Sequence, residues 1–339
     1  MVFKKIILLF ALLSTTPYAL ADTFWIGADV GGTSVLEKMG VKLYNTVGEE
    51  RDNITIMKEL GMNACRLRVW VNPYGGFCGP TDVAEMASRI YALGMAVMID
   101  FHYSDWWADP GKQNIPEWWK DMSCEEMCIA LADHTRSTLQ LLKERGIDVK
   151  WVQIGNETTN GMLWPLGNAH ENMSQYAALT RAGYEAAKEV FPNAVNIVHI
   201  DCGSDINRYH FILNGLKENG VQWDMIGMSV YPYWDLKENL TASEDETLEK
   251  VIANINTLYA EYGTPLMIVE TGYDAMCPNQ GKLFMTRLIE QARHNTGDAC
   301  RGVFYWAPEA EAGQGYPLGA FANHRPTIIL DPFDASLWQ

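Results

Sequence analysis

Two glutamates stand at the ends of strand-like runs, Glu157 in residues 151–157 (WVQIGNE) and Glu270 in residues 265–273 (PLMIVETGY). Two further runs of the same kind separate them, which places the pair on strands 4 and 7 of a barrel. Two carboxyls at a barrel mouth suit double displacement at a sugar bond, one as acid/base and the other as nucleophile. The two roles need opposite surroundings. A general acid working near neutral pH needs a raised pKa, and burial beside Asn156, aromatic rings and a second carboxylate would raise that of Glu157. A nucleophile must stay ionised, which calls for a cation and hydrogen-bond donors nearby. Arg66 and Tyr231 are placed to support Glu270, with Arg68 as the alternative cation.

Other strand ends carry groups of the same kind. His102 reads as a positioning residue for a carboxylate or a sugar hydroxyl, and Trp306 as a stacking platform at the cleavage point. The segment after the third strand interleaves Trp106, Trp107, Trp118 and Trp119 with Asp105 and Asp109. Such a loop, with Trp107 and Asp109 nearest the strand end, fits a cleft wall that stacks sugar faces and binds hydroxyls. The seven histidines show no metal-ligand spacing and no CxxC pair occurs, so no metal site is expected.

Eight runs rich in Val, Ile and aromatics must hold these groups: 24–30, 64–71, 96–103, 151–157, 195–201, 224–232, 265–273 and 302–309. Amphipathic helical stretches lie between them at 81–93, 127–145, 173–191, 246–262 and 281–295. In the first of these, Val83, Met86, Ala87, Ile90 and Tyr91 form one face. Near-continuous apolar strands alternating with helices predict a parallel sheet covered on both faces. Eight such units predict an α/β fold, a single (β/α)8 barrel with its site at the C-terminal strand ends. The rival, an open doubly wound sheet, would want a GxGxxG turn after the first strand, and Gly31-Gly32 does not supply it.

The start of the chain has Lys4 and Lys5, an apolar run over 6–13 and a small-x-small site at Ala19-Leu20-Ala21. That pattern predicts a signal peptide over 1–21, and so export, to the periplasm, the cell surface or the medium. Residues 22–339 then form the barrel, expected as a monomer with no membrane insertion. A net charge of −16 opposes nucleic acid or anionic lipid as partner and leaves a neutral polymer as the expected ligand. Seven cysteines read as structural, with Cys78 expected to pair with Cys124 or Cys128.

Several motifs together resemble glycoside hydrolase family 53, the endo-β-1,4-galactanases. They are Gly27-Ala28-Asp29-Val30, the segment 66–73 (RLRVWVNP), the segment 100–105 (DFHYSD), Trp107-Ala108-Asp109-Pro110, the segment 153–157 (QIGNE) and Glu270-Thr271-Gly272-Tyr273. The resemblance runs from about residue 25 to about residue 331. It implies the β-1,4-galactan side chains of pectin as substrate, Glu157 as acid/base and Glu270 as nucleophile. It also implies support from Arg66, His102, Asn156, Tyr231 and Trp306. No cofactor is implied. Some bacterial members carry calcium in a long loop after strand 7, but here residues 274–279 are short and poor in oxygen ligands. The loop over 308–326 is compact as well, which predicts a shortened cleft. The rival expectations are the same chemistry on mannan or xylan, and a non-catalytic glycan-binding barrel.

Overall fold

Each of the eight expected runs becomes a parallel strand in a closed barrel. The computed structural model describes residues 23–313 and 315–339, so the expected signal peptide lies outside the described residues. The strands are β1 (Trp25–Asp29), β2 (Ala64–Val69), β3 (Ala96–Phe101), β4 (Val149–Ile154), β5 (Val195–Ile200), β6 (Met225–Val230), β7 (Leu266–Thr271) and β8 (Cys300–Trp306). β1 pairs with both β2 and β8, which closes the ring. Neighbouring strands pair in sequence order, as right-handed βα units require.

Side chains alternate in and out along each strand, so every second residue enters the barrel. At the N-terminal end the inward residues are apolar. Trp25, Ala64, Met98, Trp151, Ile197, Met225, Met267, Val269 and Phe304 pack into a floor of their own, separate from the outer core. The Trp151 ring meets Trp25 edge-on at 4.9 Å and Phe304 at 6.2 Å. A Cβ on Gly27 would come within 2.5 Å of the Phe304 ring and 2.6 Å of the Ala64 carbonyl, so only glycine leaves room here. Each large ring removes about 150–250 Å² from water, worth ~4–6 kcal/mol.

The outer layer holds α1 (Asn53–Glu59), α2 (Pro80–Ala92), α3 (Cys124–Glu144), α4 (Ala169–Val190), α5 (Ile206–Glu218), α6 (Glu244–Tyr262) and α7 (Pro278–His294). After β8 a 3-10 segment, Ile328–Phe333, packs on α7 in place of an eighth long helix. Helix starts follow local chemistry. Ser123 and Glu126 form a reciprocal capping box on α3, and Pro80 and Pro278 open α2 and α7, where a missing N–H does no harm. On α2, Val83, Met86, Ala87 and Ile90 are buried as expected, but Tyr91 is exposed at the edge of the stripe.

Two expectations need correction. α1 and α5 are absent from the helical stretches read in the sequence. The cysteine pairing also fails, because all seven cysteines are free thiols. Cys78 is buried with its Sγ donating to the Gly31 carbonyl at 3.3 Å, while Cys124 and Cys128 sit one turn apart on α3.

Candidate active site

Strand β4 stops at Ile154, and the chain then turns left-handed twice, at Gly155 (φ 83°) and Glu157 (φ 45°). A Cβ on Gly155 would meet Thr158 Cγ2 at 2.5 Å, so the first turn needs glycine. The second is uncommon for a residue with a side chain, and such backbone concentrates at functional sites. It leaves Glu157 partly exposed over the mouth, with Oε1 accepting from Ser229 Oγ at 2.7 Å.

Glu270 reaches the same space by another route. The pairing of β7 with β6 slips between Met228 and Ser229, which lie opposite Ile268 and Glu270. Val269 is the extra residue, and it and Glu270 both face inward. Such a bulge re-aims a side chain. The Glu270 carboxyl accepts from Tyr231 Oη at 3.0 Å and lies 2.8 Å from Arg66 Nη1.

Arg66 is fully buried and binds three carboxylates at once. Besides Glu270, it meets Asp29 at 3.0 Å and Asp100 at 2.9 Å. Its other donors reach Gln153 Oε1 at 3.1 and 3.2 Å and Asn156 Oδ1 at 2.8 Å. Asn156 in turn donates to the Ala108 carbonyl at 2.8 Å, which ties the tip of β4 to the loop after β3. Arg68, the alternative partner for the nucleophile, instead meets Asp29 at 3.3 Å and lies over the Trp107 ring at 4.1 Å.

Electrostatics separates the two carboxyls. Burial pushes Glu270 up to about 7; Asp100 and Asp29 add to the rise, while Arg66 and the Tyr231 hydroxyl oppose it. Burial also raises Glu157 well above the usual carboxylate range, helped by the charges of Glu270 and Asp201 and opposed by the Ser229 hydrogen bond. Among the described residues only Glu270 of the pair has a cation in contact, so it is the first to lose its proton. His102 is pinned at both ring nitrogens, to Asp100 Oδ2 and to the Ala108 N–H, each at 3.0 Å. It has no ring nitrogen left to shuttle protons.

A cleft of about 1170 Å³ lies above these groups. His102, Trp107, Asp109, Asn156, Glu157, Tyr231, Glu270 and Trp306 all line it, while Arg66 lies beneath. Trp107 packs on Trp306 at 5.4 Å, and Trp306 on Tyr316 at 4.6 Å. Trp106, Trp118 and Trp119, read with Trp107 as one wall, do not line the cleft. Trp119 is buried, and Trp106 stacks on Trp70 at 4.7 Å. Asp105 holds the loop itself, accepting from the Asn72 and Glu117 N–H groups at 2.9 Å. Among the described residues, no group of three or more His, Cys, Asp or Glu side chains could hold a metal ion.

Sequence reasoning gave no role to Asp29, Gln153, His199 or Ser229, all buried at the mouth. Their signal was available. Each has the inward parity of a floor residue on its own strand, two positions beyond Gly27, Trp151, Ile197 and Gly227.

An eight-stranded parallel barrel with two carboxyls of unequal surroundings at its mouth is the framework of a glycoside hydrolase. Comparison with known proteins gives the family. The glycosyl hydrolase family 53 profile matches residues 25–320, and the chain belongs to that family. It is 33% identical over 312 residues to the endo-β-1,4-galactanase of Bacillus subtilis, covering 83% of this chain and 69% of that one. It is 30% identical over 303 residues to the arabinogalactan endo-β-1,4-galactanase of Humicola insolens, covering 83% and 88%. Among solved structures, a fungal β-1,4-galactanase superposes with a TM-score of 0.83 at 26% identity, covering 92% of this chain and 99% of the other. The family 53 catalytic domain of Ignisphaera aggregans superposes at 0.82 with 31% identity, covering 94% and 97%.

Proposed function

We propose that the protein is an exported, monomeric, retaining endo-glycosidase that hydrolyses internal β-1,4-galactosidic bonds of galactan and arabinogalactan side chains of pectin. One observation carries the mechanism: Glu270 is in contact with a guanidinium, whereas Glu157 accepts from the Ser229 hydroxyl. Glu270 is the nucleophile and attacks the anomeric carbon. Glu157 gives its proton to the glycosidic oxygen as the carbon–oxygen bond breaks, which leaves a glycosyl-enzyme and a free reducing end. Water then attacks the same carbon, Glu157 takes its proton, and the Glu270 carboxylate departs. Side chains and water are sufficient for both steps.

The family and the galactanase names of its relatives support galactan as the substrate. Trp306, Trp107 and Asp109 serve as stacking and hydroxyl-binding groups, and Asn156, Tyr231, Arg66 and His102 hold the carboxyls in place. Among the described residues no helix is long and apolar enough to cross a membrane.

The test is the product profile and first-formed anomer on linear β-1,4-galactan, followed by NMR for wild type and Glu270→Ala. Short β-configured galactooligosaccharides are expected, and the variant should make none. Cleavage of mannan or xylan but not galactan would reject the substrate. Cleavage that survives in Glu270→Ala would reject the nucleophile.

A further inference from the structure

The reading of Glu157 as acid/base leaves open which of its two oxygens carries the proton and what keeps it there. We propose that a one-way hydrogen-bond chain, Arg66 to Gln153 to His199 to Ser229 to Glu157, holds the transferable proton on Oε2 and makes Ser229 and His199 positioning residues for both steps.

The direction of each link follows from the donors available. Arg66 Nε and Nη2 lie 3.2 and 3.1 Å from Gln153 Oε1, and a guanidinium only donates, so the amide oxygen must face it. The amide nitrogen of Gln153 therefore points the other way, with Asp100 Oδ1 at 2.5 Å, His199 Nδ1 at 3.0 Å, and the Gly155 carbonyl and Asn156 Oδ1 at 3.2 Å around it. The backbone N–H of Glu157 reaches the same ring nitrogen at 3.2 Å. That backbone N–H cannot rotate away, so the nitrogen it faces is unprotonated and accepts. Asn156 Oδ1 also lies 3.1 Å from Nδ1, but a proton placed on Nδ1 to reach it would face the Glu157 N–H.

The single ring proton of His199 thus sits on Nε2, 2.8 Å from Ser229 Oγ. A hydroxyl that accepts there turns its own hydrogen elsewhere, and the acceptor is Glu157 Oε1 at 2.7 Å. Reversing any of the first three links would set two donors against each other, and reversing the last would leave the Ser229 hydrogen without an acceptor among the described residues. Arg66, Gln153, His199 and Ser229 are all at most 1% exposed, so solvent does not reorient them. Burial, reinforced by the Arg66 charge, keeps His199 neutral far below its ordinary range.

Glu157 therefore meets a donor at Oε1 in either protonation state. When it is an acid, its proton has Oε2 as its place, clear of the Ser229 hydrogen. When it is a base after the first step, the same Ser229 hydrogen supports the carboxylate. The titratable groups facing Glu157 are Glu270, Asp201 and Asp109, with the Tyr209, Tyr231 and Tyr316 phenols near by. None of them hydrogen-bonds Oε1 among the described residues, so Ser229 is the group whose loss reads out there.

The experiment is Ser229→Ala, with kcat, KM and the pH profile of kcat/KM on linear galactan. On losing a hydrogen bond to a charged group, kcat should fall about 10- to 100-fold with KM unchanged. The alkaline limb, set by Glu157, should move to higher pH. The acid limb, set by Glu270 with its own partners, should stay. A rise in KM with kcat intact, or two unmoved limbs, would overturn the proposal, and thermal melting confirms that the variant is folded. Glu157→Ala on 2,4-dinitrophenyl β-1,4-galactobioside, with azide added, tests the underlying reading separately. That substrate needs no proton for departure, and azide should restore turnover as β-galactobiosyl azide. No restoration would reject Glu157 as acid/base, whereas restoration with an unaffected Ser229→Ala would reject the chain alone.

Discussion

The floor and the mouth of the barrel stand on the same strands, one or two inward steps apart. Trp25 gives way to Gly27 and then Asp29, Ala64 to Arg66, Met98 to Asp100, Trp151 to Gln153 and Ile197 to His199. One inward step is two residues, roughly 7 Å along the strand. Within that distance the interior passes from aromatic and aliphatic packing to a network of charges. The floor gains by removing apolar surface from water. The mouth instead buries Asp29, Asp100 and Glu270 around one shared guanidinium, that of Arg66. The contrast teaches a division of labour: the floor and outer layer supply stability, and the mouth consumes some of it to hold carboxyls at unequal proton affinity.

Removing the cation at the mouth should have the largest effect. Arg66→Met leaves three buried carboxylates without their shared partner, at a cost of about 3–5 kcal/mol in urea unfolding at neutral pH. It also removes the charge that keeps Glu270 ionised, so kcat on galactan should fall by about 10³. Full activity in this variant would mean that Glu270 does not depend on Arg66. A substitution in the floor should reach stability alone. Trp151→Ala opens a cavity beneath the network and should cost about 3 kcal/mol or more, while kcat of the folded fraction is unchanged. A fall in kcat comparable to that of Arg66→Met would show that floor and mouth are one mechanical unit, and the division would be wrong.

The same contrast explains how far the sequence could be read. The floor and its strands announce themselves through apolar runs alternating with helices, and all eight strands were legible. Glu157 and Glu270 were legible as carboxylates closing such runs. The aim of each side chain was not. Glu270 points inward because of the bulge at Val269, and nothing in residues 265–273 marks an extra residue. Glu157 lies beyond its strand in a left-handed turn, where the run 151–157 reads as continuous. Helix α5 was hidden by Gly215, a poor helix former in isolation. A Cβ there would meet Met173 Cε at 2.4 Å, so close packing against α4 overrides local propensity. Ser229 and His199 have ordinary identities, and only their depth and neighbours make them part of the site.

Titration draws the finest line between the regions. His134 on α3 lies outside the barrel, its ring against Phe101, Tyr103 and Trp119, with Nε2 buried and unpartnered among the described residues. Burial lowers its pKa from the ordinary 6.5 to about 4. The unfolded chain therefore takes up a proton below pH 6.5 that the folded chain refuses until about pH 4, and stability falls as pH drops through that window. Glu270 and Glu309 act in the opposite sense. Burial raises both to about 7, so their folded forms hold protons that the unfolded chain releases above 4.5, and stability falls as pH rises through that range. In the wild type the two slopes oppose each other. His134→Leu removes one of them. Its stability relative to wild type should improve by about 1–2 kcal/mol on going from about pH 7 to about pH 5, with kcat against pH unchanged. Parallel stability profiles for the two proteins would remove His134 from the account and assign the whole acid response to the mouth.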